Sequence, residues 1–205
     1  MRARWALLNA DIRFSLREVN LRKKPRQLLQ ISSKGTVPVL VSKEGEVIDE
    51  SIEIMIWSLK KDPHNRLRSD NRSEKEEIKF LINQNDNQFK YHLDRFKYSS
   101  RYDLNRKDLH KNEAKKILFK LNERIADSYI KFESSWLIGR EDSLADWALW
   151  PFVRQYLIAD PTIFKEEENL MHLENWLSYF LNHTLFKRLM IKTSPWSEDD
   201  LPFLL

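Results

Sequence analysis

The chain has 205 residues, with 35 Lys and Arg against 31 Asp and Glu, 41% hydrophobic residues including seven Trp and eleven Phe, and only three Gly. That composition excludes a disordered chain and points to a mostly helical one with few tight turns. The small charge excess on a densely charged surface gives no ground for nucleic-acid binding. Zero cysteines exclude disulfides, thiolate metal sites and a cysteine nucleophile within these residues.

In chain order, Met1 to Asn9 sets Trp5, Ala6 and Leu8 among arginines, which suits an amphipathic helix. Ile12 to Val19 alternates apolar and polar residues, the period of a strand. Pro25 to Ile31 predicts a short helix with Pro25 in its first turn, where its missing N–H costs nothing. Thr36 to Val41 and Glu46 to Ile48 predict two strands joined through Lys43-Glu44-Gly45, and Glu50 to Lys60 the helix that follows, with Ile52, Met55, Ile56 and Leu59 on one face.

From Arg72 onward the pattern is helical. One helix is expected from Ile78 to about Phe96, a second over Leu109 to Ile130, a third over Ser143 to Leu157 ended by Asp160-Pro161, and a fourth over Leu173 to Leu189. The expected organisation is a small domain over residues 1–61, a charged linker over 62–71 and an all-helical domain over 72–205. No run approaches the roughly 20 apolar residues of a membrane span, and the N-terminus lacks a signal-peptide core, so a cytoplasmic protein is expected.

Lys34 to Trp57 is the most informative stretch. A proline opening a strand gives up a ladder hydrogen bond, and X-Pro is the bond type that accepts the cis form at low cost. A cis bend at Pro38 would turn the N–H and C=O of Val37 outward, where an extended peptide-like ligand pairs as it would with a sheet edge. Asp49-Glu50-Ser51 then opens a helix whose first N–H groups and dipole favour a carboxylate. The plainer alternative is a hairpin followed by an N-capped helix, with Ser51 or Asp49 as the cap. Farther on, Ser143-Leu-Ala-Asp146 has the spacing of a capping box, with aspartate in place of the usual glutamate.

The order strand, Val-Pro, hairpin, Glu-Ser and helix resembles the glutathione site of the glutathione transferase family. The stretch S-L-A-D-W-A-L-W-P-F-V-R-Q-Y resembles the capped core helix of that family's second domain. The resemblance covers nearly the whole chain and fits the cysteine-using, omega-like and related bacterial branches best. It implies an α/β thioredoxin-like N-terminal domain followed by an all-α helical-bundle domain, glutathione as co-substrate and no metal, a small electrophile or mixed disulfide as the other substrate, and a homodimer.

Residue by residue, the resemblance implies that Lys24, before Pro25, pairs with the glycyl carboxylate. Val37 bonds the cysteinyl backbone, Pro38 holds the bend, and Glu50 and Ser51 take the charged ends of the γ-glutamyl group. Tyr91, Phe96, Tyr98 and Tyr102 are candidate walls of a second-substrate pocket, or core. The departure is at the start, where Met1 already stands inside the family's first helix. The first strand and the turn carrying the nucleophile would then lie upstream, and the strands at Ile12 and Thr36 would be left with unpaired ladder groups. No catalytic residue is assigned within the chain. The competing expectation is a non-catalytic transferase-fold module for protein contacts. The histidines His64, His92, His110, His172 and His183 show no metal-ligand spacing and read as surface or helix-end residues.

Overall fold

The computed structural model describes residues 1–62 and 71–205. The expected linker over 62–71 therefore lies almost entirely outside the described residues, as does His64. The chain divides into two compact units, Met1–Arg68 with Thr184–Leu205, and Ser69–His183. The helical domain expected over 72–205 thus differs from the observed grouping at its C-terminal end, where the last segment returns to the first unit.

In that first unit, helix α1 (Arg2–Asn9) packs on α3 (Ser51–Lys60). Ala3, Leu7 and Ile54 are buried between them, with Ile12, Phe14, Leu40, Ile48 and Trp57 packed against that cluster. The short helix α2 (Arg26–Ile31) follows Pro25 at its N-cap. Strands β2 (Leu40–Val41) and β3 (Val47–Ile48) pair antiparallel, Leu40 opposite Ile48 and Val41 opposite Val47. The turn between them uses Gly45 at φ +87°, a conformation that suits a residue without Cβ, and the Ser42 hydroxyl accepts from the N–H of Glu44 and of Glu46.

The sheet departs from expectation. The alternating run Ile12 to Val19 contributes only a two-residue strand, β1 (Ser15–Leu16), which pairs antiparallel with a C-terminal strand, β4 (Phe203–Leu204), that the sequence reading did not foresee. Phe14 and Leu205 exchange both backbone hydrogen bonds, at 3.2 and 3.0 Å, and the Trp196 N–H donates to Glu18 O at 2.8 Å. Ladder groups expected to lie open on this strand are therefore partly engaged along one edge. Arg4 fastens the same region through Glu18 at 2.6 Å and Ile191 O at 3.3 Å, and the Arg17 guanidinium lies over the Trp196 ring. Removing Ser197–Leu205 deletes the β1–β4 pairing, both Phe14–Leu205 backbone hydrogen bonds and the buried Leu205. The expected loss is about 3 kcal/mol of unfolding free energy, read as a lower midpoint in urea.

In the second unit, α4 (Arg72–Gln84) runs through a π turn (Asn85–Phe89) into α5 (Lys90–Lys97), so the helix expected to be continuous carries one widened turn. Helix α6 (Lys107–Phe132) packs on α5, α7 (Leu144–Ala159) on α4 and α5, and α9 (Met171–Asn182) on both α6 and α7. A short α8 (Ile163–Glu166) lies between α7 and α9. The helix read through Leu189 breaks at His183, whose backbone is extended, and resumes as α10 (Thr184–Leu189) in the first unit. The core is aromatic: the Trp150 and Phe180 rings stack at 5.2 Å, Trp176 meets Phe180 edge-on at 5.3 Å, and Tyr156 packs between Phe89 and Phe96.

At the start of α7 the Ser143 hydroxyl accepts from the N–H of Ala145 and Asp146, while the Asp146 carboxylate accepts from the Ser143 N–H at 2.8 Å and hydroxyl at 2.7 Å. The other carboxylate oxygen accepts from the Leu137 N–H at 2.9 Å and from Trp176 Nε1 at 2.8 Å. Asp146 is fully buried; burial pushes its pKa up, and the donors from Leu137, Ser143 and Trp176 pull it back. One carboxylate thus caps a helix, holds the preceding loop and anchors a tryptophan of α9.

Candidate functional site

The candidate site is the turn between α2 and β2 with the start of α3 beside it. Gly35 adopts φ +53°, and a Cβ there would come within 2.9 Å of Leu29 Cδ2 and 3.4 Å of Lys24 Nζ, so Lys24 lies across the glycine that leads into the bend. Two residues on, the Val37-Pro38 peptide is cis. Val37 is 45% exposed, and among the described residues its N–H and C=O have no backbone hydrogen-bond partner. An extended chain laid along this residue would meet one donor and one acceptor.

On the other side of the turn, Glu50 is the N-cap of α3 with extended backbone, and no side chain caps the helix. The expectation that Ser51 or Asp49 caps it is therefore corrected. Ser51 is the first helical residue, and the Asp49 carboxylate instead accepts from the Ser32 hydroxyl and from Lys34, both at 3.2 Å. The first N–H groups of α3 remain available to an anion.

Lys34 is the participant that sequence reasoning missed. Its ammonium donates to Glu50 at 2.8 Å as well as to Asp49. These bonds raise the lysine pKa, and the bond from Lys34 lowers that of Asp49. The only sequence signal was a lysine three residues before a Val-Pro pair and an Asp-Glu pair after the hairpin. Lys24 lies against Gly35 at one end of the turn, and Lys34 is bonded to Glu50 at the other.

The aromatic residues read as pocket walls do not share one role. Phe96 is buried against Tyr156. Tyr91 and Tyr102 are exposed and both contact the Arg95 guanidinium, and Tyr98 lies under Lys97 and Arg101.

The reading of His92 and His110 as unrelated surface or helix-end residues is also corrected. Their Nδ1 atoms lie 3.0 Å apart, across α5 and α6, and Tyr91 meets both rings edge-on. One Nδ1 must carry a proton and the other must not, so a second proton would set two N–H groups against each other. Burial lowers both pKa values. Glu113 opposes this at His92 and Asp103 at His110, while Arg95 adds to it at both and Arg106 at His110. A depressed folded pKa means that the unfolded chain takes up protons first, so this stabilisation is intact above the free histidine value and lost as pH falls through the folded one. The melting temperature is expected to fall as pH drops below the free histidine value of about 6.5, and His92→Phe is expected to flatten that slope, as measured by circular dichroism melts. Among the described residues no three His, Asp or Glu groups converge to hold a metal ion.

Residues 1–59 match the sequence profile of the glutathione S-transferase N-terminal domain. No curated protein matches the sequence. Solved structures similar in fold include a Tau class glutathione S-transferase from mango, Mangifera indica, at 18% identity and TM-score 0.77, covering 93% of this chain and 87% of that one. Another is glutathione transferase Omega 3C from Trametes versicolor, at 20% identity and TM-score 0.74, covering 94% and 84%. A third is a glutathione transferase family member from Pseudomonas fluorescens pf-5, solved with two glutathione bound, at 17% identity and TM-score 0.72, covering 91% and 86%. The fold is glutathione transferase-like: a thioredoxin-like α/β domain with small sheets and a helical C-terminal domain.

Proposed function

We propose that the chain binds glutathione along Val37 and serves glutathione transfer. The observation that carries this reading is Val37, exposed and, among the described residues, without a backbone hydrogen-bond partner, in the turn whose Gly35 lies against Lys24 and whose Lys34 is bonded to Glu50 at the start of α3. The cysteinyl N–H and C=O of the ligand would pair with Val37, and Pro38 would hold the bend. Lys24 would take the glycyl carboxylate. Glu50 would receive the γ-glutamyl ammonium, displacing Lys34, while Ser51 and the first N–H groups of α3 would take the α-carboxylate. The match of residues 1–59 and the fold shared with glutathione-bound transferases support this assignment.

In a transfer reaction the glutathione thiolate donates its electron pair to an electrophilic carbon, the leaving group departs with its own pair, and a thioether remains. Thiol-disulfide reduction through a protein cysteine, as in omega-like enzymes, requires a thiol that these 205 residues do not contain. That step would need a cysteine upstream of Met1. We further propose that the protein acts in the cytoplasm as a homodimer; light scattering on the purified protein tests the assembly. Among the described residues no helix is long and apolar enough to cross a membrane.

The second reading is a transferase-fold module that binds proteins without catalysis, and the densely charged, slightly basic composition suits it. Passage over immobilised glutathione separates the two. The glutathione-site reading expects retention and elution by free glutathione; flow-through of folded protein supports the interaction module.

A further inference from the structure

Residues 90–111 carry seven Lys and Arg against three Asp, an excess equal to that of the whole chain. Two 3-10 turns, Ser99–Arg101 and Leu104–Arg106, gather these side chains at one end of the α5–α6 pair. Lys90 is paired with Asp94 and Lys111 with Asp160. Among the described residues Arg95, Arg101, Arg106 and Lys107 have no carboxylate partner. Arg95 lies 3.5 Å from the Tyr91 ring centroid and 4.7 Å from that of Tyr102, and Arg101 lies 4.8 Å from that of Tyr98. Tyr102, Leu104 and Leu109 are exposed beside them, so the cations sit among uncovered apolar groups.

The stacking decides what such a surface recognises. A guanidinium lying against a ring keeps its flat face occupied and offers its N–H rim, which matches a planar carboxylate with two parallel hydrogen bonds; Arg95 gives one Nη1 bond to Tyr91 O at 3.3 Å and has its remaining rim donors for a ligand. The ring faces are used by the protein's own cations: Arg95 on Tyr91, Lys97 and Arg101 on Tyr98. Base stacking, which single-stranded nucleic acids require of such platforms, must compete with a cation already lying on each ring. The exposed leucines have no counterpart on a phosphate backbone, but they fit the apolar side chains that flank carboxylates in a peptide. We infer that this end of the α5–α6 pair is a docking surface for an acidic peptide segment in which carboxylates alternate with apolar residues. The surface lies wholly in the second unit.

The test is fluorescence polarisation of a fluorescein-labelled dodecapeptide repeating Leu-Glu-Asp, titrated with the whole chain at low and at physiological salt. Arg95→Gln and Arg101→Gln are each expected to weaken binding about fivefold, and both together with Lys107→Gln on the order of fiftyfold or more. Lys165→Gln removes a charge elsewhere on the same unit and is expected to leave binding unchanged. Arg95→Lys is expected to resemble Arg95→Gln, because an ammonium lacks the paired rim donors. Circular dichroism melts confirm that each variant is folded. No binding of the peptide by the wild-type chain overturns the inference, as does equal loss in Lys165→Gln. Equal or tighter binding of a twelve-nucleotide oligothymidylate, or of phosphatidylserine vesicles, overturns it as well.

Discussion

Asp146→Ala is expected to destabilise the helical unit by about 3 to 5 kcal/mol, a large part of a stability that for a domain totals roughly 5 to 15. The substitution leaves the Leu137 N–H, the Ser143 N–H and Trp176 Nε1 buried without their acceptor and removes the Asp146 half of the capping box, with Ser143 still the N-cap of α7. Asp146→Asn keeps one acceptor oxygen and should lose less, because it can still serve the donors that converge on one side. Urea unfolding followed by tryptophan fluorescence reads both, since Trp147, Trp150 and Trp176 are buried in this unit. Equal stability of Asp146→Ala and wild type would mean that this carboxylate is a bystander.

The second large effect belongs to the candidate site. Glu50→Gln is expected to weaken glutathione binding by roughly tenfold to a hundredfold, the range for losing a charge-assisted hydrogen bond. Folding stability should change little, because Glu50 is exposed and offers no side-chain cap to α3. Calorimetric titration of glutathione into the two proteins measures the difference. Unchanged affinity would move the γ-glutamyl ammonium away from Glu50 and the start of α3.

Local chemistry made part of this molecule legible. The Val37-Pro38 bend, the hairpin at Gly45 and the Ser143–Asp146 capping box are each written in residues within a few positions of one another, where backbone sterics and short hydrogen bonds decide the conformation. Partners distant in sequence were not legible. Alternation over Ile12 to Val19 announces a strand but does not name what pairs with it, and the answer, Phe203–Leu204, lies at the other end of the chain. His92 and His110 occupy different helices and share no spacing that signals a pair, yet α5 and α6 bring their rings together. The apolar stripe through Leu173 to Leu189 continues across His183, so periodicity alone passed over a break that depends on one extended residue. Lys34 escaped notice because a lone lysine in a turn looks like any solvated lysine until Asp49 and Glu50 are seen beside it.

The most direct test follows the Val37 amide by nitrogen-edited NMR while glutathione is added to the isotopically labelled chain. The account predicts that the Val37 resonance moves among the most strongly of all, together with those of Glu50, Ser51 and Ile52, and saturates at millimolar ligand or below. A Val37 amide that stays in place up to about 10 mM glutathione, beyond the weak end of specific binding, would contradict the site proposed for this chain.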